Sequence, residues 1–293
     1  MLDYLTLGAS ALAATSATDV TKVTGLTGIP SGIRGDLFSR PEADGSVEPA
    51  NQYLTHRTVV VEGEAWGASV AAAWTAWNTL QGVFLLAVQT QQTLKWRIAG
   101  GTIDLQALVR LADAQPPVLD ANDQGPFIRY QITLRADDPL VYDQVSQAAT
   151  ATAPSTSATG MPLPVVFPIP FGLSSTGGSC SVLNGGNAPS WPVITVTGPI
   201  TNPVLGNATT ARYLYFDSLT LAAGETLLIT TAPNLRAATQ AGVSKLGSLR
   251  FSDSVWPSAT NGVTETWQLY TLAAGSTTGA TSMQVAWRNA YIS

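Results

Sequence analysis

Residues 127–160 read "FIRYQITLRADDPLVYDQVSQAATATAPSTSATG", and two different kinds of chain meet inside this stretch. In its first nine residues Ile128, Tyr130, Ile132 and Leu134 alternate with Arg129, Gln131, Thr133 and Arg135. A period of two sends alternate side chains to opposite faces of a sheet, so the segment reads as a half-buried antiparallel strand. "ADDPLVYD" closes it, and Asp-Pro after a strand is turn chemistry. From Gln144 to Gly160 the chain is rich in Ala, Ser and Thr without apolar periodicity, which reads as a linker or a loosely packed crossing. The expected organisation is therefore a domain at 1–145, a linker at 146–160 and a second domain at 161–293.

At 293 residues the chain is long enough for two cores of ordinary size. Its charges are unevenly shared: 15 acids and 9 bases lie in residues 1–150, against 4 acids and 5 bases in the rest, with none between Asp143 and Arg212. Hydrophobic residues at 45% with only 11% charged describe a folded chain whose poorly charged surface suits permanent protein contacts. A net charge of −5 provides no basic stripe to neutralise phosphates, so nucleic acid is excluded as a primary partner. "MLDYLTLGAS" has no basic segment of the kind that opens a signal peptide, and the apolar run "VFLLAV" at 83–88 is far short of the roughly 20 residues that span a bilayer. Neither export by a signal peptide nor membrane insertion is expected.

The first half reads as sheet plus one principal helix. "TVVVEGE" (58–64), "GVFLLAVQ" (82–89) and "TLKWRIAG" (93–100) have strand character. Between them "EAWGASVAAAWTAWNTLQG" puts Trp66, Val70, Trp74, Trp77 and Leu80 on one helical stripe. Ala68, Ala71, Ala72, Thr75 and Asn78 form the opposite face, and no charge occurs from Ala65 through Leu94. Two readings of that face are open: coverage by the rest of its own domain, or a subunit interface where small side chains permit close approach.

The second half reads as all-β. "PVITVTG", "ARYLYFDSLTLAAGETLLITT" with an Ala-Gly hairpin turn, "GVTETWQLYTLAAGST" and "TSMQVAWRNAYIS" alternate β-branched and aromatic residues between Gly-rich turns, which favours a β-sandwich. "GPITNPVLGN" (198–207) reads as the turn between a strand ending near Thr197 and one starting near Arg212, with Asn202 as a turn residue.

Chemistry-bearing sets are sparse. His56, the one histidine, sits at a strand edge without a G-x-S-x-G elbow, and Cys180 falls in the other half. One Cys and one His cannot assemble a structural zinc site. Glu62 and Glu64 share a strand face, whereas paired catalytic acids generally come from different elements of a cleft. "ADDPLVYD" supplies Asp137, Asp138 and Asp143 without further ligands. "DANDQG" opens like a calcium loop at Asp120, but Gln131 stands where the bidentate Glu belongs. "STGGSCSVLNGG" lacks the Lys and the helix of a phosphate loop. No enzyme activity, cofactor or metal is expected. Four tryptophans in the second half could stack on sugar, and Trp191 and Trp256 are the candidate contacts; Trp287 alternates in phase with Met283 and Val285 and reads as core.

Taken in order, these pieces resemble the distal tail protein (Dit) family of long-tailed, non-contractile bacteriophages. "VTGLTGIPSGIRGDLFSRPEADGSVEP" before "HRTVVVEGEAWG" is similar to the family's entry, and "RYQITLRADDPLVYD" to the close of its first domain. "ITVTGPITNPVLGNATTARYLYFDSLTLAAGETLLITT" and the terminal "WQLYTLAAGST…VAWRNAYIS" are similar to its second domain. The resemblance implies an α+β belt domain assembling as a hexameric ring and an outer all-β galectin-like sandwich. It further implies a virion protein made in the host cytoplasm and placed at the distal end of the tail. Its partners would be other copies of itself, the tail tube protein, the tail-tip hub and the C-terminus of the tape-measure protein. A carbohydrate-binding, host-surface recognition protein is the competing reading.

Overall fold

The structure is a computed structural model that describes residues 2–13, 17–30, 33–34, 38–39, 46–47, 53–122, 125–152, 178–271 and 280–292. The chain is mainly β, with one α-helix among the described residues. It divides into two compact units, Met1–Val145 with Tyr291–Ser293, and Ser146–Ala290. The last three residues thus belong to the first unit and not, as expected from sequence, to the second. Gln147–Thr152, read above as linker, is a strand paired with Ser282–Trp287 over six residues. Its Ala/Thr pattern hides a half-buried strand because Ala151 is the single position that reaches full burial. The remainder of the expected linker, 153–160, lies outside the described residues.

In the first unit the expected strand Gly125–Ala136 is central, pairing on one side with Leu105–Ala114 and on the other, over ten residues, with Arg57–Trp66. Thr18–Thr24 adds to the outer edge of Arg57–Trp66, and Gln92–Ile98 and Leu2–Leu7 continue the sheet beyond Leu105–Ala114. Ile128, Tyr130, Ile132 and Leu134 all face the core, as their alternation requires.

The helix is Val70–Gln89, displaced toward the C-terminus from its expected position. Ser69 caps it, its hydroxyl accepting from the Ala72 amide at 3.2 Å. Gly67 is required just before, because a Cβ there would run into the backbone of Ala72 and Ala73. "GVFLLAVQ" is the last part of this helix and not a strand. A short apolar run fits either period, and here Phe84 and Ala87 extend the series Ala73, Trp77, Leu80 at helical spacing. That series is the buried stripe; Trp66 ends a strand instead, and Val70 and Trp74 are 50% and 39% exposed. Trp77, Phe84 and Tyr130 lock helix to sheet, with ring centroids 5.7 to 6.1 Å apart. Gly63, opposite Tyr130 in register, leaves room for the phenol.

The second unit is a two-sheet sandwich. A six-stranded sheet runs from Gln147–Thr152 through Ser282–Trp287, Val193–Thr197 and Thr226–Thr230 to Ala237–Gln240 and Val243–Ser244. Facing it are Ser179–Leu183, Thr264–Thr271, Pro203–Asn207 and Arg212–Tyr215. Trp267, Trp287, Phe216 and Met283 fill the space between them. "GPITNPVLGN" therefore contains an interior strand as well as a bend. Pro203 is tolerated as its first residue, and Gly206 lies flat between two partners. Asn202 does turn the chain, at φ +50°, its side-chain oxygen accepting from the Leu219 amide. The Ala-Gly turn is present at Ala222–Glu225, but its flanking strands pair with Ile200–Thr201 and Val193–Thr197 and not with each other.

Candidate functional site

The helix carries the most unusual surface of the first unit. Ala71, Ala72, Thr75 and Asn78 are exposed along it, and Ala68 is exposed just before the cap. The Thr75 and Thr79 hydroxyls donate to the carbonyls one turn back, at 2.9 and 3.0 Å, which leaves their methyl groups to define the surface. Further along, Leu85, Leu86 and Val88 are 57%, 53% and 52% exposed. Sequence reasoning missed these three because it ended the helix too early. Beside them a groove of about 580 Å³ runs between Trp77, Leu85 and Val88 on the helix and Leu111, Pro116 and Pro117. A helix without charged side chains, apolar on both its buried and exposed faces, is suited to burial against another surface.

The outer face of the first unit's sheet is of opposite character. Glu62 pairs with Lys22 at 3.1 Å, and Arg129 spans Glu64 at 3.6 Å and Asp120 at 3.1 Å. Both glutamates are thus engaged by cations on an open face and not poised in a cleft. Asp137 pairs with Arg135, Asp138 accepts from the Leu140 amide and the Tyr142 hydroxyl, and Asp143 caps Val145: all serve turns. His56 is exposed. No group of three His, Cys, Asp or Glu that could hold a metal occurs among the described residues. Cys180 is half-buried, and that burial pushes its thiol up to about 11, away from nucleophile chemistry. No helix among the described residues is long and apolar enough to cross a membrane.

In the second unit Trp191 is half-buried, and Trp256 packs against the core with the Arg236 guanidinium 5.6 Å from its ring. The two are separate, and neither stands as an open ring face. Trp267 is fully buried and Trp287 is 7% exposed.

One functional residue escaped the sequence altogether. Arg57 is 1% exposed and spends its guanidinium on backbone carbonyls: Gly25, Leu26 and Gly28 from Nη1, Pro139 from Nε and Ile292 from Nη2, at 2.9 to 3.4 Å. Its pKa is lowered by burial, with Asp138 opposing. Three remote segments of the first unit meet on this side chain. The preceding His and following β-branched run mark a strand edge, and nothing local announces acceptors so distant in sequence.

A sheet-and-helix unit with an unpartnered helix face, followed by an uncharged sandwich, is the two-part architecture of a phage tail hub protein. Among solved structures the chain resembles the Dit protein of phage SPP1, described as a paradigm of the hub adsorption apparatus in phages infecting Gram-positive bacteria, with TM-score 0.65, 14% identity and 98% of each chain covered. It also resembles a chain of the phage P2 baseplate in its activated conformation with Ca, at TM-score 0.49 and 11% identity over 98% of each chain. The Dit resemblance is thereby borne out at the level of the fold. No family model matches the chain, and no curated protein matches it in sequence.

Proposed function

We propose that the chain is a structural protein of a bacteriophage tail, without enzymatic activity, that assembles as a hexameric ring at the distal end of a long non-contractile tail. The ring joins the tail tube to the tail-tip hub and surrounds the end of the tape-measure protein. One observation carries this reading: an uncharged helix face, with Leu85, Leu86 and Val88 more than half exposed, on a fold shared along its whole length with a phage Dit protein. Burying a leucine or valine removes about 1.5–3 kcal/mol of unfavourable exposure per side chain, enough for a repeated contact to close a ring. Ala71, Ala72 and Thr75 let a neighbouring backbone approach, and Asn78 marks the edge of the groove.

Light scattering over a concentration series tests this on the full chain. The expected mass is a hexamer or a pair of hexameric rings, and Ala72→Glu combined with Thr75→Glu shifts it to monomer while leaving the melting temperature in place. Unchanged mass in that double variant removes the helix from the interface. A native chain that stays monomeric at every concentration overturns self-assembly as its property.

A further inference from the structure

Cross-strand pairing builds a second surface on the outer face of the four-stranded sheet. Tyr213 and Gln268 lie on either side of Gly206, and Tyr215 and Tyr270 on either side of Val204. Directly opposed residues project to the same face, so three tyrosines and an amide stand together. Their ring centroids are 6.3 Å (Tyr213 to Tyr215) and 5.9 Å (Tyr213 to Tyr270) apart, and the Tyr213 hydroxyl lies 3.5 Å from Gln268 Oε1. All four side chains are half-buried, with Val204 buried beneath the tyrosine pair and Gly206 leaving an open notch between Tyr213 and Gln268. The row continues across the sheet with exposed Ser179, opposite Gln268, and Ser181.

Position by position, no residue that faces outward on these four strands is charged; Glu265, on the same strand as Tyr270, points inward and is 1% exposed. That chemistry selects its ligand. An anion finds no cation here, and a cation finds no carboxylate. A purely apolar partner would leave the phenols, hydroxyls and amide unpaired, at a cost for each. A neutral sugar offers both requirements at once, an apolar C–H face for the rings and hydroxyls for the polar groups. Burial pushes the Tyr270 phenol up to about 12, so it stays a neutral donor at physiological pH.

We propose that this tyrosine face binds neutral oligosaccharides, independently of whether the first unit forms a ring. The tryptophans singled out from sequence are not part of it.

The test is retention of the full chain on an array of neutral hexose and N-acetylhexosamine oligosaccharides printed beside sulfated and sialylated ones. Retention is expected on neutral glycans, weakened about tenfold or more by Tyr213→Ala and by Tyr270→Ala, as for aromatic hot-spot residues. Tyr270→Phe, which keeps the ring, retains most of it, and Trp256→Ala leaves it unchanged. If the alanine variants do not fold, Gln268→Ala decides, with weakened retention expected. Absence of retention on neutral glycans, retention on acidic ones alone, or unchanged retention in the folded platform variants overturns the proposal. So does a platform variant that instead dissociates the native oligomer, since the face would then be a protein contact.

Discussion

The two units solve the same problem, holding buried polar groups, in different ways. The first uses one cation: Arg57 gathers five carbonyls from three segments, with no carboxylate hydrogen-bonded to it. The second uses neutral amides. Asn184 donates to the Ala188 and Ala259 carbonyls and accepts from the Gly186 and Ala290 amides, while Asn207 bonds Ser258 and Thr210 and Asn289 accepts from Gly185. Their surfaces follow the same division. The first unit has an ion-paired sheet face beside an apolar helix, and the second has outer strands bearing hydroxyls, amides and phenols. A single guanidinium has five donors fanned in a plane and can join distant segments, but every acceptor depends on it. Amides spread that dependence over several side chains.

If this contrast is right, Arg57→Leu produces the largest effect. Five carbonyls lose their donor, and a loss on the order of 3–5 kcal/mol is expected, the scale for removing one partner of a buried charged group. Denaturant unfolding followed by near-UV signals measures it, and a loss below about 1 kcal/mol, the worth of one ordinary hydrogen bond, would break the contrast. Arg57→Lys, which keeps the charge but not the fork, should recover only part of it.

Asn184→Ala should cost less, about 2 kcal/mol, because Asn207 and Asn289 continue to serve neighbouring turns. The same unfolding experiment sharpens the comparison: the loss should appear in the second unit's transition, leaving the first unit's unchanged. A loss equal to that of Arg57→Leu would mean that the amides act as one unit.

The smallest effect concerns pH. Asp104 receives both arms of the Arg97 guanidinium at 2.7 Å and the Tyr4 hydroxyl at 2.7 Å, and these bonds, Arg97 first, hold its pKa below the usual carboxylate value. A lowered folded pKa means that its contribution is complete above the unfolded value, about 3.9, and is lost as pH falls through the folded one. Asp104→Asn should therefore lie slightly below the native chain in stability at neutral pH and converge with it in acid. Because the pair is partly exposed, added salt should narrow the gap at neutral pH. A gap that widens in acid would reverse the assignment.

What could be read from sequence tracks the range of the interactions involved. The period-two strand at 127–135 and the core role of Trp287 were legible because alternation is a local property, read over a few residues. The exposed small face of the helix was legible too, from the absence of charge between Ala65 and Leu94. Where strand and helix patterns overlapped, at 82–89, and where an Ala/Thr segment hid a strand, at 147–152, local reading was ambiguous and the packing partners decided.

The sequence by itself determined the class of the fold, the presence of its helix and the alternation of its central strands, because those depend on neighbours a few residues away. Only the tertiary structure decided that Leu85, Leu86 and Val88 stay outside, that Pro203–Asn207 lies inside a sheet, and that Tyr213, Tyr215 and Tyr270 converge. It alone brought Ile292 to Arg57 across 235 positions. Burial and register are settled by contacts between segments remote in the chain, and no local pattern encodes which segments those are.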